Sequence, residues 1–195
     1  MKYRNIHEGQ FVDRPNRFIA NVVVDDKIET VHVKNTGRCK EILLHGAKVY
    51  LDKSENPNRK TRFDLIGVEK RILDKEVLIN IDSQIPNKVV EEGILNKKIT
   101  ELTDIHFLKP EVGMGKSRFD FYYETRESTG FIEVKGVTLE DNKIAKFPDA
   151  PTDRGSKHIK ELTSLQKEGY KNYVFFLVQM NYPWEFRPNV LTDCI

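Results

Sequence analysis

Two short segments in the C-terminal half of the chain restrict the fold most strongly, because apolar and polar side chains alternate along both. Residues 118–124 read Arg-Phe-Asp-Phe-Tyr-Tyr-Glu, and residues 131–135 read Phe-Ile-Glu-Val-Lys. This period of two is typical of a β-strand with one apolar face. Residues 125–130 have the composition of a turn. The pattern therefore predicts a β-hairpin whose strands each have an apolar face and a polar face.

Three charged residues are expected on the polar face of this hairpin. With the centre of the hairpin between Arg126 and Glu127, Asp120 lies opposite Glu133. Directly opposed side chains have Cβ atoms about 5 Å apart. Lys135 follows two residues after Glu133 and projects from the same face. Asp120, Glu133 and Lys135 are therefore predicted to form one polar constellation.

Two interpretations of this constellation are open from the residues alone. Opposed like charges destabilise a hairpin, and a divalent cation bound by both carboxylates would offset the repulsion. Lys135 could then steady a phosphate or lower the pKa of an attacking water. The alternative is an ordinary salt-bridged hairpin with a solvated face. An acidic residue, any residue and then a lysine is by itself weak evidence for a metal site, because residues 25–27 and 141–143 show the same triplet in predicted turns.

A helix and a further strand are predicted after the hairpin. Residues 152–167 have helical periodicity, and Gly169 stands where a C-terminal cap belongs. Residues 172–178 are almost continuously apolar, which is typical of a strand buried on both faces. Another helical pattern begins at residues 86–87. The order of strand, strand, helix and strand predicts an α/β domain.

The N-terminal part is predicted to be a small β-domain. Several short strands separated by turn residues suggest an OB-like barrel. We place the domain boundary near residues 83–84, which gives an OB-like domain over 1–82 and an α/β domain over 83–195. The predicted fold class is therefore α/β (α+β), with an OB-like β-barrel followed by an α/β domain. The predicted N-terminal strands are residues 18–24, 28–33, 48–51, 62–68 and 77–81.

Composition restricts the location and the partners of the protein. The chain has 195 residues, 32% of them charged, and a formal net charge of only +2, so any nucleic-acid site must be a local patch. The N-terminus has no apolar signal segment, and the longest apolar run, residues 173–178, is too short to cross a membrane. Cys39 and Cys194 are far apart, as expected for isolated thiols in a reducing compartment. We therefore expect a cytoplasmic protein without a membrane partner.

Longer motifs resemble those of the sugar fermentation stimulation protein A (SfsA) family over nearly the whole chain. The resemblance implies an N-terminal OB-like domain and a C-terminal domain similar to the PD-(D/E)XK nuclease fold. In that superfamily two acidic residues bind magnesium or manganese and a lysine assists catalysis. Carried over to this chain, these are Asp120, Glu133 and Lys135, with the Val134 carbonyl as a further metal ligand. The motifs are residues 117–121, 132–139, 147–150 and 152–162, with Asn35-Thr36-Gly37 and residues 56–60 in the N-terminal half.

The resemblance also implies a function. The family is described as DNA-binding and is linked to the regulation of sugar use, notably maltose metabolism. Three alternatives stay open: a DNA-binding regulator that does not cleave, an active magnesium-dependent nuclease acting on DNA or RNA, and an RNA-processing protein. Family members usually continue with another helix and strand, so the chain is either truncated or a short member. The oligomeric state is left open.

Basic residues that could contact nucleic-acid phosphates occur in both halves. A run of charges is often only a solvated face, but the resemblance favours phosphate contact. At residues 154–158 free backbone amides of a helix start would add to this, although His158 could equally be a structural histidine. Phe18 and Phe63 could stack on bases, but packing in the core is the expected fate of both. The predicted contacts are Arg14, Arg17, Lys34, Arg38, Arg59, Lys60, Arg62, Arg154, Lys157 and His158.

Overall fold

A computed structural model of the chain describes residues 1–35 and 37–192. Cys194 and the central Thr36 of the Asn35-Thr36-Gly37 motif lie outside the described residues. The chain divides into two compact units. The first comprises Met1–Ile85, Glu140–Ala145 and Val178–Phe186, and the second comprises Pro86–Leu139, Lys146–Leu177 and the residues from Arg187 onward.

The described residues form strands, two α-helices and one short 3₁₀ helix at Thr100–Leu102. In chain order the elements are β1 Ile6–Asp13, β2 Ile19–Val24, β3 Lys27–Val33, β4 Lys48–Lys53, β5 Phe63–Ile72, β6 Lys75–Asn80, α1 Ile85–Leu95, β7 Phe107–Met114, β8 Ser117–Glu124, β9 Thr129–Val137, β10 Leu139–Asp141, β11 Ile144–Phe147, α2 Asp153–Lys167, β12 Tyr173–Val178 and β13 Glu185–Pro188.

Five strands of the first unit close into a barrel. The strand order is β3-β2-β1-β4-β5-β6, and β3 also pairs with β5 in parallel through His32 with Asp64 and Val33 with Leu65. This extra pairing closes β1 to β5 into a ring, which leaves β6 as an extension beside β5. The N-terminal OB-like barrel predicted from the sequence is thereby confirmed.

The predicted hairpin in this barrel forms between β2 and β3. Asp25 and Asp26 have φ angles of 49° and 61°, as a two-residue turn of type I′ requires. Strand β1, in contrast, was not predicted, because Gly9 and charged residues interrupt its apolar alternation. A Cβ atom at Gly9 would lie 2.6 Å from Cγ1 of Val22, so only glycine allows β1 and β2 to approach this closely.

Two stretches of the predicted second domain belong to the first unit. In one, the Glu140 carboxylate lies 3.0 Å from Nζ of Lys70 on β5. In the other, Met180 forms a β-bridge with Ile79 of β6. Their partners lie in the barrel unit, which is why the compact division comes between Ile85 and Pro86 and is discontinuous in sequence.

The second unit is a four-stranded sheet in the order β12-β9-β8-β7. The register between β8 and β9, with Phe121 opposite Ile132 and Glu124 opposite Thr129, centres the hairpin between Arg126 and Glu127 as predicted. Val90 and Ile94 of α1 pack in one apolar cluster with Phe121, Ile132 and Val134, and Leu162 and Leu165 of α2 pack in another with Phe119 and Phe131. Both helices thus cover apolar side chains of the sheet.

The residues at the two ends of α2 are those that the sequence predicted. Thr152 accepts a hydrogen bond from Gly155 N at 3.0 Å at the start of α2, and Gly169, with φ of 100°, follows its end.

Strand β12 forms as predicted, but each of its residues is only partly buried, since β12 is an edge strand with β9 on one side. The expectation of burial on both faces was therefore wrong.

Neither helix in the described part of the chain has the length and apolarity needed to span a membrane.

Candidate metal centre

Asp120 and Glu133 adjoin the last residue pair of the β8–β9 ladder, Phe121 with Ile132. The two carboxyl groups are close enough for the charge of Glu133 to act on Asp120. Asp120 accepts two hydrogen bonds: Oδ1 from the Asn87 amide at 2.7 Å and Oδ2 from Val134 N at 2.7 Å. The carboxylate of Asp120 is thus held in place by α1 and by the main chain of β9.

Glu133 is deeply buried, with 4% of its surface exposed. Its Oε1 interacts with Nδ1 of His158 at 2.6 Å and with Nζ of Lys135. Its Oε2 has no hydrogen-bond partner among the described residues, although that atom is buried. A buried carboxylate oxygen without a donor is costly, so Oε2 is the atom of Glu133 that a further partner would stabilise.

The electrostatics of Asp120 reflect this crowding. Burial raises the pKa of the Asp120 carboxyl, and the nearby charge of Glu133 raises it further. The hydrogen bonds from Val134 N and Asn87, together with the charge of Lys135, oppose this rise without cancelling it. A cation between the two carboxylates would remove the repulsion that raises the pKa of Asp120.

The surroundings differ from an ordinary solvated hairpin face. His158 of α2 is 5% exposed and its ring stacks edge-on against Phe119 at 5.9 Å. Val134, between Glu133 and Lys135, is also buried. The acidic face of the hairpin is therefore covered by α2, and the alternative of a solvated salt bridge does not describe Glu133.

The donor set suits a hard, oxygen-seeking cation. The part of the chain that the structure describes contains no group of three or more His, Cys, Asp and Glu side chains arranged around a metal position. Protein ligands would be limited to Asp120, Glu133 and a main-chain oxygen, for which the carbonyl of Val134 is the candidate. Magnesium commonly keeps several waters and uses only one or two carboxylates, so this small set fits it. The buried Oε2 of Glu133, which has no donor among the described residues, is the observation that supports the fit.

Two residues of the centre were missed or placed in another role by the sequence analysis. Asn87 was assigned only to a helix start, and nothing in its neighbourhood in sequence signals a contact with Asp120 33 residues away. His158 was predicted as a phosphate contact or, equally, as a structural histidine, and its Nδ1 lies against Glu133. A buried histidine one helical turn inside a helix that packs on the hairpin is the only signal that could have suggested this.

The other two basic residues of α2 lie at its exposed start. Lys157 donates to the main-chain oxygen of Lys116 at 3.1 Å and lies 3.8 Å from the carboxylate of Glu161. Arg154 is exposed. Their contact with nucleic acid stays a prediction.

In the barrel unit, two predicted phosphate contacts are engaged in ion pairs. Arg59 binds Asp64 with both terminal nitrogens, at 2.6 and 3.0 Å. Lys34 lies 2.9 Å from the fully buried Asp82. Burial raises the pKa of the Asp64 carboxyl, but the hydrogen bonds from Arg59 and His32 outweigh it and hold the pKa below its ordinary value. These cations stabilise carboxylates of the barrel itself.

The remaining basic residues of the barrel differ in exposure and in partners. Arg62 is paired with Glu29 at 2.8 Å. Arg14 donates to four main-chain oxygens and holds a loop together. Arg17, Arg38 and Lys60 are exposed, and the described residues contain no acidic partner for them. The structure thus divides the predicted contacts into paired cations and available cations.

Two family models match the chain. The model described as the SfsA N-terminal OB domain matches residues 12–81, and the model described as the sugar fermentation stimulation protein RE domain matches residues 84–194. The architecture therefore defines a class of proteins in which an OB domain precedes an RE domain. The chain belongs to the SfsA family, as the resemblance in sequence predicted.

Individual relatives agree with this assignment. A sugar fermentation stimulation protein homolog of Clostridium beijerinckii is 55% identical over 192 residues, which cover 98% of this chain and 82% of that protein. Another, from Ruminiclostridium cellulolyticum, is 54% identical over the same shares. Among solved structures, Pyrococcus furiosus SfsA in complex with Ca²⁺ has a TM-score of 0.89 and 30% identity, and the match covers 99% of this chain and 81% of that chain.

Proposed function

We propose that this protein binds DNA and holds a divalent metal ion, magnesium or manganese, at a nuclease-type site formed by Asp120, Glu133 and the Val134 carbonyl. The observation that carries the metal site is the buried Oε2 of Glu133, which has no donor among the described residues. The raised pKa of Asp120 is in line with this proposal: burial is its main cause and the charge of Glu133 the second, and a cation would relieve the second.

A relative supports the chemistry of the bound ion. Pyrococcus furiosus SfsA is described in complex with Ca²⁺, a hard cation with oxygen ligands. Magnesium and manganese share the preference for carboxylate, carbonyl and water oxygens. We therefore extend divalent-ion binding to this chain at the pair of carboxylates that its own structure brings together.

Each residue of the centre has a distinct part in this proposal. When bound, the ion would supply Lewis-acid stabilisation of a phosphate. Asn87 and Val134 N hold the Asp120 carboxylate, and His158 holds Glu133, so the two ligands need little rearrangement. Lys135 presents a partly exposed ammonium beside Glu133 and would contact a phosphate oxygen of DNA.

The second candidate is a magnesium-dependent nuclease that hydrolyses DNA or RNA. Lys135 is the specific observation in its favour, since an ammonium adjoining the two carboxylates is the third group that such hydrolysis uses. A role in regulating sugar use, notably maltose metabolism, would follow from DNA binding in the cytoplasm. The names of the relatives refer to sugar fermentation.

DNA binding is tested by fluorescence anisotropy with labelled duplex and single-stranded DNA, with either manganese or a chelator present. We expect binding in both conditions and tighter binding with manganese. The increment due to manganese should vanish in Glu133→Gln. If DNA is not bound at any salt concentration down to about 50 mM, the proposal is wrong, since non-specific binding strengthens steeply as salt falls.

Hydrolysis is tested by incubating the same substrates, and matched RNA, with magnesium. Product that requires Glu133 and is lost in Lys135→Ala would establish the nuclease. Product that persists in Lys135→Ala would instead indicate contamination or another site. Absence of product with intact, metal-dependent DNA binding would leave the DNA-binding role and exclude hydrolysis of the substrates tried.

A further inference from the structure

Two segments of the barrel unit are joined by a single arginine side chain. Arg14 follows β1, and its Nη1 donates to Gly37 O at 2.7 Å and Arg38 O at 2.9 Å. Its Nη2 donates to Arg17 O at 2.8 Å and Asn35 O at 2.6 Å. Four hydrogen bonds to main-chain oxygens use all four terminal hydrogens of the guanidinium. Arg14 is therefore a brace that joins the β1–β2 loop to Asn35, Gly37 and Arg38 after β3. Its terminal nitrogens are occupied, and its Nε is buried.

The two braced segments enclose a basic cleft of about 290 Å³. Its lining includes Arg17, Arg38 and Lys40 besides the brace, and no acidic residue. Two acidic residues adjoin the lining in sequence: Asp13 accepts a hydrogen bond from Asn21 at 2.8 Å, and Glu41, next to Lys40, is exposed outside the lining. The described part of the chain offers no carboxylate partner to the three cations, so their charge is available to an anionic ligand.

An exposed aromatic ring stands next to this cleft. Phe18 is 51% exposed, against the expectation that it packs in the core. Its main-chain N donates to Oδ1 of Asn16 at 2.8 Å, which fixes its position at the end of the loop. The guanidinium of Arg17 lies 5.2 Å from the centroid of the ring. An ordered, exposed aromatic beside unpaired cations is the combination that single-stranded nucleic acid recognises, because unpaired bases offer a face for stacking.

The same barrel contains a second Arg-Phe pair that lacks these properties. Arg62 lies 5.3 Å from the ring of Phe63, much as Arg17 lies against Phe18. Phe63, however, is only 2% exposed, and Arg62 is paired with Glu29. The β4–β5 loop next to this pair is therefore closed to base stacking. In OB domains both this loop and the β1–β2 loop are used for oligonucleotides, and here only the latter has an open ring.

We propose that the β1–β2 loop surface is a binding site for single-stranded DNA, with a base stacked on Phe18 and phosphates bound by Arg17, Arg38 and Lys40. This inference rests on the proposed DNA binding, but it is independent of the metal centre. It deepens that function, since it distinguishes single strands from duplexes, whose bases have no free face for Phe18.

The test is fluorescence anisotropy of a labelled oligo(dT) with the full chain in the presence of a chelator, which removes any contribution of bound metal. Phe18→Leu keeps an apolar side chain and removes the ring. We expect it to weaken oligo(dT) binding about tenfold, while duplex binding changes less than about twofold. Arg38→Gln and Lys40→Gln should each reduce the slope of log K against log salt by about 0.7 for the single strand.

Arg71→Gln is the control, because it removes an exposed arginine of β5 that is not among the predicted contacts. It should leave oligo(dT) affinity and the salt slope unchanged. Urea unfolding of each variant checks that the barrel is intact. An equal loss of duplex and single-strand binding in Phe18→Leu, or no loss at all, would overturn the inference. Tighter binding of oligo(rU) than of oligo(dT) would overturn the assignment to DNA.

These outcomes separate the inference from the proposed function. Wild-type protein that binds no DNA would contradict both. Wild-type protein that binds DNA normally, with unaltered affinity in Phe18→Leu and Arg38→Gln, would contradict the single-strand site alone.

Discussion

Glu133 and Glu140 are two buried glutamates, each beside a lysine, but they differ in how completely their carboxylates are hydrogen-bonded. They are 4% and 5% exposed. In Glu140, Oε2 lies 3.0 Å from Nζ of Lys70 and Oε1 accepts from Lys143 N at 2.8 Å. In Glu133, Oε1 receives both donors, His158 and Lys135, and Oε2 has none among the described residues.

The difference shows which buried carboxylate has a purely structural role. Burial and an ion pair are common to both glutamates, so neither feature identifies a functional site. A carboxylate with both oxygens satisfied needs no further ligand, whereas an unsatisfied buried oxygen costs free energy until something binds it. Glu140 therefore stabilises the β10–β11 turn. Oε2 of Glu133 and Oε2 of Glu161 are both buried without a donor among the described residues, and Glu133 is the proposed ligand because it also lies beside Asp120.

The same substitution at both positions should separate metal binding from stability. Glu133→Gln should weaken manganese binding at least about a hundredfold, about 2.7 kcal/mol, because it replaces a charged ligand oxygen with a neutral amide. Glu140→Gln should leave manganese affinity unchanged. Isothermal titration calorimetry with manganese measures both.

Equal manganese affinity in wild type and Glu133→Gln would contradict the proposed metal centre. A large loss in Glu140→Gln would show instead that burial alone, and not the unfilled oxygen, decides where the ion binds.

Stability should respond in the opposite order. Glu140→Gln should lower the free energy of unfolding by about 2 kcal/mol, since it leaves the Lys70 ammonium without a charged partner in a largely buried site. Lys70 keeps the main-chain oxygen of Glu140 as an acceptor at 3.1 Å, which limits the loss. Glu133→Gln should cost less, about 1 kcal/mol. Lys135 loses its partner but keeps the charge of Asp120 nearby, the amide oxygen still accepts, and the repulsion between Glu133 and Asp120 disappears.

Urea unfolding in the presence of a chelator gives these values. A larger loss in Glu133→Gln than in Glu140→Gln would mean that the ion pair with Lys135 makes Glu133 a structural residue, contrary to the distinction drawn between them.

The sequence predicted the register of β8 with β9, because strand register follows from local alternation and from the position of the turn. It also predicted the β2–β3 hairpin and the helix α2 with its Thr152 start. It could not distinguish Glu133 from Glu140, since each has a local donor, Lys135 or Lys143 N, and the second donor to each comes from a distant element. His158 lies 25 residues from Glu133, and Lys70 lies 70 residues from Glu140.

Exposure was the other property that the sequence did not determine. Phe18 and Phe63 both follow an arginine, yet the first is exposed and the second is in the barrel core. The reason is position: Phe18 precedes β2 and is fixed in a loop by Asn16, whereas Phe63 is the first residue of β5. Arg59 and Lys34 were likewise predicted as phosphate contacts from local charge density, but Asp64 and Asp82 lie beside them in the fold.

Substitution of His158 should have a smaller effect on metal affinity, because His158 would act on the ion only through Glu133. His158→Ala should weaken manganese binding about tenfold, in line with other residues that orient a metal ligand. His158→Asn should restore part of the affinity, since its amide can donate near the position of Nδ1. Loss of stability without this rescue of affinity would assign His158 to packing against Phe119 and not to positioning of Glu133.

Two aspartates extend the comparison to pH. The pKa of Asp64 is held below its ordinary value despite burial, because Arg59 and His32 donate to it. Its contribution to stability is therefore present above about pH 3.9, the pKa of an unfolded aspartate, and is lost as pH falls through its lower folded pKa. Asp64→Asn should abolish this loss of stability at acid pH. Urea unfolding between about pH 2.5 and about pH 4 measures it, because the loss begins near the unfolded pKa of about 3.9.

Asp120 should give stability the opposite dependence on pH, because burial and the charge of Glu133 raise its pKa. Between about pH 3.9 and the raised pKa, the folded protein binds a proton more tightly than the unfolded chain, so stability falls as pH rises. In a chelator, Asp120→Asn should lose this decline, and with manganese the wild type should lose it too, because the cation replaces the proton as the partner of the carboxylate. A wild-type decline that is identical with and without manganese would mean that the ion binds away from Asp120.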